Sequence, residues 1–304
     1  MSNNKAIVLC TKDGSIFLEK QLISLFKQTD SKFDLYINDD GSSDKTLEIL
    51  KSFKKMHKSG AMHITTRKFG CSNKNFIETL KKVPDIYDYY FFCDQDDIWM
   101  RDKIKNSILA LSDYKNIPAL FCGRTTLIDE NDKKIGQSPL FLKKPTLNNA
   151  LVQSISGGNT MCFNLETKKL LNQVDSSMIP AHDWLAYIIV TAHNGKVIYT
   201  SFPQVLYRWH HKNQIGPNQS LMARLKRLNL LFQGDFRNWV KRNNEILSEY
   251  KLPDNSLNLI ELFVKKIHNG NLFERIIYFF KLNIYRQQTI SNFMLFLAVV
   301  VKKI

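Results

Sequence analysis

The chain has 304 residues, enough for one large domain or a domain with an appendage. Hydrophobic residues at 44% and aromatics at 12% exclude a disordered chain, and five cysteines without a C-x-x-C pair argue for buried, reduced thiols. The net charge of +15 is uneven: residues 1–217 carry 29 Lys/Arg against 22 Asp/Glu, whereas 218–304 carry 14 against 6. Such a tail suits an anionic membrane surface or nucleic acid.

In chain order, the apolar run 6–10 predicts a strand. It is too short for the core of a signal peptide, so a cytoplasmic protein is expected. Leu18, Leu22, Leu25 and Phe26 recur at helical spacing over 16–28. Residues 33–38 read as a strand, and Leu47, Leu50 and Phe53 mark one face of a helix over 43–58. A brief strand at 62–65, a helix at 75–82 and an aromatic-rich strand at 89–93 follow. Ile104, Ile108 and Leu111 then line a helix that begins near Arg101. Alternation with short connections predicts an α/β fold, its mostly parallel sheet covered by helices on both faces. Ligands of such sheets collect at the carboxyl ends of the strands.

The pattern then changes. Residues 119–122 and 125–128 read as strands, and the loop 154–160 feeds a strand at 161–164. An apolar helix over 184–191 precedes strands near 196–199 and 205–209. Beyond 218 only helical patterns occur, which predicts a catalytic-type domain over 1–217 and a helical appendage over 218–304. In that tail Leu272, Phe273, Ile276, Phe280 and Ile284 make one apolar stripe, and 293–301 is apolar throughout. Nine helical residues span about 14 Å against about 30 Å of hydrocarbon, so this segment does not cross a bilayer. It lies in a membrane interface, or it packs on the rest of the chain or a second copy.

Asp94, Asp96 and Asp97 arrive within four positions at the end of the 89–93 strand. Crowded carboxylates repel one another and resist desolvation, which favours a neutralising cation, and oxygen ligands select Mg2+ or Mn2+. An acidic turn capping the next helix is the plain alternative. Asn38-Asp39-Asp40-Gly41-Ser42-Ser43-Asp44 is a second acidic strand end. Its residue types also suit an N-cap and turn, but facing the same crevice its carboxylates would accept a pyrimidine N–H or ribose hydroxyls. Asp183 opens the apolar helix within Ala181-His182-Asp183-Trp184 and either caps it or serves as a general base. Tyr207-Arg208-Trp209-His210-His211-Lys212-Asn213 gathers groups that meet a diphosphate or complete a metal shell. Gly157-Gly158-Asn159-Thr160 offers backbone N–H groups to an anion or sugar. Neither a P-loop nor a G-x-G-x-x-G is found, which turns the reading away from ATPases and dinucleotide enzymes.

Taken together, Cys10-Thr11-Lys12-Asp13-Gly14, residues 38–44, Asp94-Gln95-Asp96-Asp97-Ile98-Trp99, Gly158-Asn159-Thr160-Met161, His182-Asp183-Trp184 and residues 207–213 resemble a known family. It is the inverting family 2 glycosyltransferases of GT-A fold, most nearly the rhamnosyltransferase-like members that build bacterial cell-surface polysaccharides. The resemblance covers roughly residues 5–217. It implies a nucleoside diphosphate sugar donor, with dTDP-rhamnose as the best choice, a glycan or lipid-linked acceptor, and Mg2+ or Mn2+. It gives the nucleoside to Asp39, Asp40 and Thr11, with Asp40 the likelier contact to the base. The metal falls to Asp96, Asp94 and His210, and the role of catalytic base to Asp183. Asp94 and Arg208 complete the donor side, and Gly158, Asn159, Thr160, His182 and Trp184 are the candidates for the acceptor side. Asp97 is expected to support the turn. The implied chemistry is one in-line displacement at the anomeric carbon with inversion, carried out on the inner face of the cell membrane. The chain departs from the family at Lys12-Asp13, usually Tyr-Asn, at Arg101, often proline, and at Trp209, usually glutamine in the subgroup. Rival readings are a UDP-sugar-dependent transferase of the same family, a sugar nucleotidyltransferase, and a basic nucleic-acid or membrane-binding protein. The clustered carboxylates argue against nucleic acid.

Overall fold

The structure is a computed structural model and describes residues 4–210 and 235–304. Its first half alternates as the hydrophobic pattern predicts: β1 (Lys5–Thr11), α1 (Leu18–Phe26), β2 (Asp34–Asp39), α2 (Thr46–Met56), β3 (Met62–Thr65), α3 (Ser72–Lys82) and β4 (Tyr89–Cys93). β1 runs parallel to β2 and β4, and β2 parallel to β3. β1 and β4 are buried along their whole length, because helices cover both faces. Ile7, Leu9, Tyr89 and Phe91 join one core with Leu18, Leu50 and residues of α4 (Lys103–Leu111). Ala6, Val8, Tyr90 and Phe92 point the other way, into a core with α3 and α7 (His182–Ala192).

β6 (Ala119–Gly123), β9 (Cys162–Asn164) and β10 (Lys196–Thr200) complete a seven-stranded sheet in the order β10-β6-β9-β4-β1-β2-β3. β9 alone is antiparallel to its neighbours. A second sheet, β5-β11-β7-β8, is built from β5 (Ile98–Trp99), β7 (Thr126–Ile128), β8 (Lys134–Gln137) and β11 (Val205–Arg208). Two short helices, α5 (Leu147–Ala150) and α6 (Leu165–Leu171), flank α7. Cys10, Cys93, Cys122 and Cys162 are buried and unpaired, and Cys71 is exposed.

The tail comprises α8 (Asp235–Ser248), α9 (Asp254–Leu262), a π-helical stretch (Phe263–His268), α10 (Leu272–Lys281) and α11 (Thr289–Val300). It packs on the first part of the chain: Phe236, Val240, Phe263, Phe279 and Leu295 share one core with α7. The boundary expected near 218 lies outside the described residues. The expected tail stripe is corrected. Ile284, Leu295 and Val299 are buried against the core, and Ile276 is half-buried, while Phe273, Ile277 and Phe280 face outward. Among the described residues, no helix is long and apolar enough to cross a membrane.

Candidate active site

The carboxyl ends of β1, β2 and β4 lie side by side in the sheet, and Thr11 is paired with Asp39. Both are buried. The Asp39 carboxylate accepts Thr11 Oγ1 at 2.8 Å, the Ser42 N–H at 2.7 Å and the Gly41 N–H at 3.1 Å. Gly41 takes φ +79°, a conformation that suits glycine. Asp39 and Thr11 therefore brace the loop from inside rather than line a pocket, contrary to expectation. Asp40 is the half-buried member of the pair, and it accepts the N–H groups of Phe69 and Gly70.

The first loop is tied to the acidic motif by a residue that the sequence reading passed over. The Gln95 amide accepts the Lys12 N–H at 2.9 Å and donates to the Lys12 carbonyl at 3.0 Å. A Cβ on Gly14 would stand 2.1 Å from Gln95 Oε1, so any larger residue there would push the Gln95 side chain off the Lys12 backbone. Lys12 and Asp13, the departures from the family pattern, both hold the loop. Lys12 Nζ donates to the Gly41 carbonyl at 2.6 Å, and Asp13 accepts the Ser43 N–H at 2.7 Å.

At the end of β4, Asp94 is half-buried, and no donor among the described residues reaches its carboxylate. Burial, together with the charges of Asp96 and Asp183, pushes its pKa up to about 8. Those three carboxylates thus share one electrostatic neighbourhood. Asp96 Oδ2 lies 2.9 Å from His210 Nε2, and the His210 ring stacks on Phe17 at 5.3 Å. Asp97 is buried and holds the turn, accepting the Arg208 N–H at 3.0 Å and the Asn159 side-chain amide. Beneath it sits Lys103, also missed, with its ammonium 3.9 Å from the centre of the Trp99 ring. Burial lowers the Lys103 pKa to about 8.

Arg208 does not present its cation to a donor. Its side chain is fully buried over Phe17 and pairs with Asp132 at 2.5 Å. It also donates to the carbonyls of Asp96 at 2.9 Å and Asp129 at 3.0 Å. β11 runs parallel to β7, whose chain continues into residues 129–132 and wraps this guanidinium. His211, Lys212 and Asn213 lie outside the described residues.

The acceptor-side candidates are mostly structural. Gly158, Asn159 and Thr160 form a buried 3-10 turn, with Thr160 Oγ1 on the Gly157 carbonyl at 2.9 Å and Asn159 on Asp97. Trp184 is buried too, its Nε1 donating to the Ala150 carbonyl at 2.6 Å and its ring stacked on Phe236. His182 stacks on Phe76, and burial lowers its pKa to about 3, which keeps the imidazole neutral. Asn73 Nδ2 donates to the Pro180 carbonyl, so Asn73 Oδ1 faces His182 Nδ1 at 2.9 Å and fixes the ring proton there. Asp183, next in sequence, is half-buried at the start of α7. Its Oδ1 accepts the Trp184 N–H at 2.6 Å, and burial raises its pKa to about 6. That value suits a base working near neutrality.

Among the described residues, no three metal-ligating side chains are gathered into one group. The assembled part is the pair Asp96–His210, with Asp94 in the negative field of Asp96 and Asp183. Carboxylate oxygens with one imidazole fit Mg2+ or Mn2+.

Residues 6–174 match the family described as glycosyl transferase family 2. A dTDP-rhamnosyl transferase RfbG of Shigella flexneri is 31% identical over 264 residues, which is 82% of this chain and 88% of that protein. Among solved structures, S. aureus TarS 1-349 in complex with UDP-GlcNAc aligns with a TM-score of 0.55 and 14% identity over 93% of each chain. The mannosyltransferase PcManGT from Pyrobaculum calidifontis, in complex with GDP-Man and Mn2+, aligns at 0.52 with 13% identity, over 98% of this chain and 85% of that one.

Proposed function

Since the chain belongs to glycosyl transferase family 2 and has its GT-A fold, we propose that this glycosyltransferase moves L-rhamnose from dTDP-rhamnose, with inversion, onto a glycan or lipid-linked acceptor. Family membership sets aside sugar nucleotidyl transfer and a purely binding role. The observation that carries the reading is the meeting of Asp94, Asp96 and Asp183 at adjoining strand and helix ends, with Asp94 pushed to about 8 and Asp183 to about 6. The likeness to a dTDP-rhamnosyl transferase supports the donor.

In this reading Asp40 faces the nucleoside, while Asp94, Asp96 and His210 would hold Mg2+ or Mn2+. When bound, such an ion neutralises charge that develops on the departing diphosphate. Asp183 Oδ1 is held by the Trp184 N–H, which leaves Oδ2 to take the proton of the acceptor hydroxyl. The freed oxygen bonds to the anomeric carbon from the face opposite the diphosphate, and the bond to the diphosphate oxygen breaks with its electron pair. Thr11, Asp39 and Gln95 keep the donor loops in shape. The work is placed on the cytoplasmic face of the membrane, where a lipid-linked acceptor would be met.

The test incubates the protein and either cation with dTDP-rhamnose and with UDP-glucose, UDP-galactose and UDP-GlcNAc, following nucleotide release and thermal stabilisation. dTDP-rhamnose is expected to be the donor that stabilises and is consumed. Asp96→Ala is expected to weaken cation-dependent donor binding, and Asp183→Asn to keep donor binding but lose about 10²–10⁴-fold in transfer. A UDP-sugar preferred instead would overturn the rhamnose assignment, and indifference to every nucleotide sugar would overturn donor use as proposed.

A further inference from the structure

The tail presents an apolar face that packing among the described residues leaves uncovered. α10 and α11 form an antiparallel hairpin: Arg275 Nη2 donates to the Val300 carbonyl at 3.0 Å, and Phe279 meets Phe296 at 5.5 Å. In α10, Phe279 turns toward the core while Phe273 (77% exposed), Ile277 and Phe280 (65%) project away. In α11, Leu295 and Val299 turn inward while Ile290 (66%), Phe293 (60%) and Leu297 project away. Both outward stripes follow the helical repeat and lie opposite the buried faces, so they merge into one surface.

Its surroundings are basic. Residues 263–304 hold seven Lys/Arg and one acidic residue, Glu274, which is itself paired with Lys266 at 2.5 Å. Lys265, Lys281 and Lys302 are exposed. At the turn end of the hairpin, a recess of about 440 Å³ opens between Lys143, Asn283, Tyr285 and Asn292, beside Phe280. The neighbouring Leu142 is 81% exposed. A large apolar patch on a protein surface marks an interaction site. A protein partner would supply carboxylates only at points, whereas cations on several sides of an apolar strip match a continuous anionic surface over hydrocarbon.

We propose that the outer face of the α10–α11 hairpin docks on an anionic phospholipid bilayer, with its aromatic and aliphatic side chains at the acyl boundary and a phosphate headgroup in the recess. Amphipathic helices of this composition lie in the plane of the interface and sink about 5–10 Å into it. The inference deepens the proposed transfer by locating the surface that meets a lipid-linked acceptor, and it rests on that reading only for its purpose.

Co-sedimentation of the full chain with phosphatidylcholine vesicles, with and without phosphatidylglycerol, tests it. The wild type is expected to pellet with the anionic vesicles and to be released by high salt. Phe273→Ser/Ile277→Ser/Phe293→Ser is expected to lose at least about tenfold in partitioning, with its melting temperature and nucleotide-sugar hydrolysis unchanged. Lys302→Gln and Lys281→Gln are each expected to cost about fivefold, the equivalent of about 1 kcal/mol per basic residue. A wild type left in the supernatant, or a triple variant that pellets equally, would overturn the proposal. So would a solution dimer that the triple variant splits, since a second copy would then be the occupant. Vesicle binding without use of any nucleotide sugar would sink the proposed donor and leave the docking surface standing.

Discussion

Trp184→Ala separates packing from recognition at the start of α7. The indole is 4% exposed, stacks on Phe236 with ring centroids 6.0 Å apart, and donates its N–H to the Ala150 carbonyl at 2.6 Å. Truncating a buried tryptophan costs about 3–5 kcal/mol, because the cavity only partly collapses. The stranded Ala150 carbonyl pushes this toward the upper end. At about 2.1 cal/mol/K of unfolding entropy per residue, a chain of this size moves its melting temperature by about 1.5 °C per kcal/mol, so a drop of about 5–8 °C is expected. Trp184→Phe keeps the stacked ring and loses mainly the hydrogen bond, about 1–3 kcal/mol, which predicts a drop of a few degrees. Thermal unfolding and denaturant titration of both variants measure the loss, and acceptor KM is measured on Trp184→Phe below its transition. An alanine variant that melts within about a degree of wild type, together with a raised acceptor KM in the phenylalanine variant, would refute this assignment and restore the acceptor role.

Two further outcomes follow from the carboxylates. Asp183 must be ionised to accept a proton and its pKa is raised to about 6 by burial, so transfer should climb about tenfold per pH unit below that value and level off above it. A rate that is flat across pH 5 to 7 excludes Asp183 as the base. Asp94 and Asp183 both have folded-state pKa values raised above the ordinary carboxylate range. Their protonated forms are therefore favoured by folding, and that stabilisation, complete below the unfolded pKa near 4, is lost as pH rises through about 6 and about 8. In the proposed cation site Mg2+ or Mn2+ would take the proton's place, so the cation should raise the melting temperature more at pH 8 than at pH 5. An equal gain at both, or one that survives Asp94→Asn, removes Asp94 from the cation site.

The parallel half of the sheet was readable because β1 and β4 carry uninterrupted apolar runs, which need a helix on each face, and because β2 and β4 end in carboxylates. β5 and β8 gave no comparable signal. The first is two residues whose strand character comes from pairing with β11, and the second is an exposed edge without periodicity. The same limit separates the candidate site residues. Asp94, Asp96, Asp183 and His210 stand at element ends, where their chemistry shows in one dimension. Arg208 looked like a diphosphate ligand because its partners at 129–132 lie about eighty positions earlier. Gly158-Asn159-Thr160 looked like a binding loop because small polar residues also build buried turns, and only the contact with Asp97 decides between the two. Gln95 carried a faint signal, an amide set among acids. Lys103 carried none, since a lysine in a helix's first turn is ordinarily solvated.

The two-point bond between Gln95 and the backbone of Lys12 has a thermodynamic consequence. A side-chain amide there fills the place of a neighbouring strand, so the loops after β1 and β4 hold a fixed spacing before any ligand arrives. Segments that would otherwise stiffen at the moment of binding have already given up that freedom during folding. Association then suffers less from lost motion, and weak contacts to a small, flexible sugar nucleotide can suffice. Affinity in the proposed donor site would thus be partly a property of the empty protein's rigidity, set by a residue with no need to touch the ligand.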